Sequence, residues 1–78
     1  MSKDVKEAVE KNIKIIKEDY PKEKYHTLLN YFESCLDQAK YEVKKINPYT
    51  APEEIENRKN FVDYYESMIK EIKKLLEV

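Results

Sequence analysis

Val5, Val9, Ile13 and Ile16 recur every three or four positions through a charged opening stretch, which is the spacing of one apolar face on an α-helix. Ser2 is placed to cap this helix, and Glu7→Lys11 and Glu10→Lys14 are i,i+4 pairs in the favourable order on the wet face. The pattern stops where Tyr20 precedes Pro21, because a residue before proline is pushed out of helical backbone. Pro21 itself suits the first turn of a second helix.

From there Tyr25, Leu28, Leu29, Phe32, Cys35, Leu36, Ala39, Val43 and Ile46 share one face of a helical wheel, with Tyr41 pointing away. Asn47-Pro48-Tyr49 breaks the run, since proline can neither donate to the helical ladder nor tolerate a helical predecessor. Beyond it, Thr50-Ala51-Pro52-Glu53 has the spacing of a capping box. Ile55, Phe61, Val62, Tyr65, Met68, Ile69, Ile72, Leu75 and Leu76 then make a third stripe, supported by Glu54→Arg58 and Glu66→Lys70. Lys70, Lys73 and Lys74 complement the dipole at its end.

Three stripes separated by two proline-bearing breaks predict an all-α chain, an antiparallel three-helix bundle with helices at about 3–19, 21–46 and 51–77. A single helix kinked at Pro21 would leave the Val5–Ile16 stripe without cover, so the chain is expected to reverse there. Residues 1–78 make one helical domain, close to the smallest size that folds without disulfides or metal. At this size the core leaves only ~3–5 kcal/mol of stability, which makes association with a second copy or a partner attractive.

Composition narrows the function. Fifteen basic residues oppose sixteen acidic ones for a net charge of −1, the pattern of solvated helix faces rather than of a nucleic-acid footprint. The basic side is lysine except for Arg58, which further weakens a nucleic-acid role. No run reaches the ~18 apolar residues of a membrane span, and Met1-Ser2-Lys3-Asp4 opens directly into the first amphipathic stretch. Neither a signal peptide nor a membrane anchor is expected. A single cysteine suits a reducing compartment, so the expected location is cytoplasmic.

No constellation for catalysis emerges. The chain has no glycine, which removes phosphate-cradling loops, and its only histidine has no serine or cysteine partner in a recognisable grouping. Glu23 and His26 have the i,i+3 spacing of half a di-iron site, but no second such half exists in the chain. A metal-binding homo-oligomer built on Glu23 and His26 is therefore the runner-up, and a nucleic-acid-binding bundle comes third. No cofactor is expected. Cys35 lies among Phe32, Leu36 and Ala39, where a thiol acts as a small core residue. Among seven tyrosines, Tyr25 and Tyr65 fall on stripes, Tyr31 and Tyr64 on their flanks, and Tyr41 and Tyr49 have no core role in the pattern. Arg58 interrupts the third stripe, and is expected to lay its stem on the core edge and reach outward to Glu54 or Glu42.

The function expected is that of a small non-enzymatic protein-binding or regulatory module. Immunity proteins, phage-encoded inhibitors and antitoxins include bundles of this size, a kinship of size and class with no motif behind it. Helix lengths suggest where it binds. The first helix would be ~12 Å shorter than the others, and the tight turn at Pro21 would put the missing length beside Asn47–Thr50. That tip carries Val43, Ile46, Tyr49, Ile55 and Arg58, apolar surface rimmed by tyrosine and arginine as at interfaces. It is expected to join a second copy, giving a homodimer, or else a protein partner.

Overall fold

The computed structural model describes residues 3–77. It is an all-α, antiparallel three-helix bundle made of α1 (Lys3–Asp19), α2 (Tyr25–Lys44) and α3 (Pro52–Leu76). The helices sit where the stripes placed them, and the differences lie at their ends. Ser2, the expected first cap, falls outside the described residues.

α2 does not begin at Pro21. Pro21 is extended (φ −70°, ψ 153°), and Lys22–Lys24 form one 3₁₀ turn closed by the Lys24 N–H on the Pro21 carbonyl at 2.9 Å. Proline cannot donate, so the chain tightens to i→i+3 bonding before the α-helix starts. α2 ends at Lys44, short of Ile46, where the Ile46 N–H bonds the Val43 carbonyl at 3.1 Å in the same tightened way.

The connection to α3 closes on itself without glycine. The Thr50 N–H bonds the Asn47 carbonyl (3.0 Å), the Tyr49 N–H bonds Asn47 Oδ1 (2.8 Å), and the Asn47 N–H bonds Thr50 Oγ1 (3.0 Å). This is the asparagine-led turn that Asn-Pro favours. It also corrects the expected capping box. Pro52 occupies the first helical position, so the cap is Ala51, whose side chain makes no hydrogen bond. Thr50 stands one residue too early and serves the turn instead.

α3 is the central helix. It packs along α2 and against α1, while α1 and α2 approach each other least. Asn12 Nδ2 donates to Tyr64 Oη at 2.6 Å, fixing the parallel register of α1 on α3. Counting nine residues back from each partner puts Lys3 level with Ile55. Val5, Val9, Ile13 and Ile16 are all buried, as their spacing predicts, against Tyr25, Met68 and Ile72. Of the four i,i+4 ion pairs foreseen, only Glu54–Arg58 closes, at 2.7 Å. No described helix is long and apolar enough to cross a membrane.

Candidate functional site

The bundle is shut at the Pro21 end and open at the other. Met68 and Ile72, on the arc of α3 between its two neighbours, are completely buried. One and two turns earlier the same arc carries Tyr65, half-buried, and Phe61, 57% exposed. The short link through Pro21 holds α1 and α2 together over Met68 and Ile72, and the two helices part towards Phe61. Phe61 was expected in the core from its place in the third stripe. It lies instead on the floor of a groove, because nothing stands over that arc where α1 and α2 have separated.

Aromatic rings line this groove. Tyr31 meets Phe32 edge-on (5.4 Å between centroids), Phe32 meets Tyr64 and Tyr65 (6.4 and 6.1 Å), and Tyr65 stacks on Phe61 (6.2 Å). Each such contact contributes about 0.5–1.5 kcal/mol beyond area burial, so the floor is preformed and stiff. Tyr31 stands on the α2 rim at 62% exposure, while Ile15 and Tyr20 are exposed near the α1 rim. Cys35 belongs to this floor and is half-buried with a free thiol, rather than packed in the core as its neighbours in sequence suggested.

The hydroxyls respond to that setting. Tyr31 titrates above the ordinary tyrosine value, first because of its side-chain hydrogen bond with Cys35, which favours the protonated phenol. Tyr65 is also raised, chiefly by burial and then by neighbouring Cys35 and Tyr31. No polar or charged residue among those described is buried, and no group of three or more His, Cys, Asp or Glu could hold a metal ion.

The residues expected to bind fall at the tip beyond this groove. Tyr49 is almost wholly exposed (97%), whereas Val43, Ile46 and Ile55 are half-buried. The length that α1 leaves uncovered here is about one turn of α3, Pro52–Glu54, because α3 also runs past α1 at its other end. There Leu75 and Leu76 are half-buried and, like Leu28 and Leu29, pack against the core of Tyr25, Met68 and Ile72. Arg58 joins the two surfaces. Its Nη2 donates to Glu54 Oε1 (2.7 Å) and its Nη1 to the Glu42 main-chain carbonyl (3.0 Å), and its stem lines the groove beside Ala39 and Phe61. Glu42 lies in the last turn of α2, where its carbonyl also accepts a long, shared bond from the Lys45 N–H (3.3 Å), so Arg58 adds a second, shorter donor to that end of α2 from the neighbouring helix.

Other expected features sit apart. Tyr41 stays exposed on the far side of α2, with Lys45 Nζ over its ring at 4.4 Å from the centroid. Glu23 and His26 are both exposed, and fall in the 3₁₀ turn and in α2 respectively rather than on one continuous α-helix.

Sequence periodicity could not disclose the groove, because Phe61 and Met68, seven residues apart, point in nearly the same direction within the stripe. The available signal was the width of the third stripe, which exceeds what α2 alone can cover. No family model matches the chain, and no curated protein and no solved structure is significantly similar to it.

Proposed function

We propose that this chain is a small non-enzymatic module that works by binding protein, in the manner of an inhibitor, immunity protein or antitoxin. The observation that supports this is the uncovered aromatic groove, with Phe61 more than half exposed on its preformed floor and Tyr31 more than half exposed on its rim. Aromatic side chains exposed together on a rigid scaffold are the usual anchors of protein interfaces. The tip of Val43, Ile46, Tyr49 and Ile55 extends the same face past Arg58 and would form its rim. A free thiol on that face suits a reducing compartment, and we assign the module to the cytoplasm.

The experiment is affinity capture with the purified chain as bait, beside Phe61→Asp and Tyr31→Asp variants of unchanged helicity. A protein retained by the wild type and lost with both variants supports binding through the groove. Retention that ignores both substitutions moves binding elsewhere.

A further inference from the structure

We infer that the groove receives a basic amphipathic helix of another protein, one of whose lysines or arginines lies over Phe61 against Asp4. This rests on the groove being the binding surface, and it names the chemistry of what binds there.

The first argument is where the chain keeps its cations. Three connected recesses make up the groove: one between α1 and α3 around Asp4 and Phe61, one between α2 and α3 around Cys35 and Arg58, and one between α1 and α2 above Phe32. Fifteen basic residues less Arg58 leave fourteen lysines, and none of them lines any of the three. By contrast, four lysines line the recess on the other side of α1 and α3, and three line that on the other side of α2 and α3. Arg58 is the only cation among the described residues lining the groove, and Glu54 Oε1 holds its Nη2 at 2.7 Å.

The carboxylates left facing the groove are Asp4 and Glu42. Glu42 Oε1 accepts from Gln38 Nε2 at 3.0 Å, a neutral bond that leaves its charge in place. Asp4 has Glu7 and Ala8 at the i+3 and i+4 positions where a lysine would pair with it. Lys11 points within ~20° of Asp4 but stands two turns, ~10 Å, further along α1. The dipole at the start of α1 accounts for an acid at this position, yet leaves its outward charge open to a partner. The groove is thus negative, and its own chain brings no lysine to it.

The second argument is the setting of Phe61. Its ring is 57% exposed, and the recess around it adds Asn12, Asn57 and Asn60 to Asp4. An open aromatic face beside a carboxylate and amides suits a cation on an apolar stem. The stem packs on the floor, the charge is drawn to the ring, and its N–H groups reach the carboxylate.

The third argument concerns the backbone of the occupant. Walls and floor are all helices, whose main-chain groups bond within themselves, so an extended segment would find no edge to pair with. A helix brings a satisfied backbone and an apolar stripe for the rings of the floor. α1 and α2 both pack on α3 and approach each other least, which leaves the place for a further helix between them, over Tyr65 and Phe61.

Two synthetic helical peptides of ~18 residues, about five turns, test this by fluorescence anisotropy with the purified full chain. They share one leucine stripe and differ in whether the polar face carries lysine and arginine or glutamate. The basic peptide should bind and the acidic one should not. Asp4→Lys and Phe61→Ala should each weaken the basic peptide at least ~10-fold. Asp4→Lys/Glu42→Lys should instead take the acidic peptide, a gain that no loss of folding produces. Glu10→Lys changes net charge equally but lines the recess on the opposite side of α1, and should bind the basic peptide as wild type does.

Equal binding of both peptides, or of neither, overturns the inference, and so does basic-peptide binding that ignores Asp4→Lys. A chain that sediments as a dimer, and loses the dimer with Phe61→Ala, puts a second copy in the groove and overturns it too. A captured protein lost with Phe61→Asp but kept by Asp4→Lys sinks the basic helix and leaves the protein-binding role standing. Captures that ignore Phe61→Asp and Tyr31→Asp sink both.

Discussion

Phe61 and Met68 occupy nearly the same arc of α3, seven residues apart and ~20° different in direction, yet Phe61 is 57% exposed and Met68 is not exposed at all. The difference measures how far α1 and α2 have separated between those two levels. It also makes equal-looking apolar positions unequal in energy. Met68→Ala should cost about 2–5 kcal/mol, because it empties a site that neighbouring side chains cannot refill. Phe61→Ala, measured where the chain is monomeric, should cost under ~1 kcal/mol. Urea unfolding of the two variants at low concentration checks this, and equal losses would mean that the groove is closed in solution.

The fold was largely legible in the sequence because helix number depends on breaks and stripes, and Pro21 and Pro48 are unambiguous breaks. Val5, Val9, Ile13 and Ile16 were read correctly since α1 offers one narrow stripe and every member of it is buried. Phe61 and Cys35 were misread because a wheel reports direction from one axis and carries no information about the crossing of two other helices. Thr50 was misread by a single position, since Pro52 fixes the helix start and leaves Ala51 as the cap. Arg58 was expected to reach outward to Glu54 or Glu42; it pairs with the Glu54 carboxylate, and its bond to Glu42 goes to the main-chain carbonyl at the end of α2, which the pattern did not foretell.

Arg58 therefore has a structural duty separable from its charge. Arg58→Leu keeps an apolar stem in the groove but removes the donor to the Glu42 carbonyl. A loss of about 1–2 kcal/mol is expected, with faster amide exchange in the last turn of α2. Glu54→Ala, which removes only the exposed ion pair, should cost under ~1 kcal/mol. If Glu54→Ala proves the more damaging, the ion pair rather than the carbonyl bond supports this end.

The Asn12–Tyr64 bond is the polar contact that sets α1 on α3. Tyr64→Phe should lose about 0.5–1.5 kcal/mol, and Asn12→Ala a similar amount. In a double-mutant cycle the pair should show coupling, so that the combined variant loses less than the sum. Purely additive losses would show that each side chain acts through packing alone.

Ala51 offers the converse case, a position where stability can be added. Its backbone is already extended (φ −63°, ψ 143°) as a cap requires, but its side chain has nothing to give the first turn of α3. Ala51→Asp should gain about 0.5–2 kcal/mol through a hydrogen bond to a free N–H and a favourable charge at the helix dipole. Thermal unfolding should move upward, and a variant no more stable than wild type would mean that Pro52 has already ordered this end as far as it goes.

Tyr65 makes stability depend on pH at the alkaline side. Its hydroxyl ionises above the ordinary value of 10.0 when folded, chiefly because the charged phenolate is disfavoured where the ring is partly buried. In the unfolded chain the phenol ionises first. The contribution is therefore whole below about pH 9, and is lost as pH rises through the unfolded value towards the raised folded one. Tyr31 adds in the same direction, through its hydrogen bond with Cys35. Urea midpoints followed upward from neutral pH should fall more steeply for wild type than for Tyr65→Phe, which has no phenol to ionise at that position. Cys35→Ala should give an intermediate slope, since the thiol raises both tyrosines. Phenolate absorbance provides the direct reading: the last tyrosines to ionise in the folded wild type should be missing from a Tyr31→Phe/Tyr65→Phe variant. A wild-type slope identical to that of Tyr65→Phe would remove Tyr65 as the cause, and a midpoint that rises with pH would reverse the assigned direction.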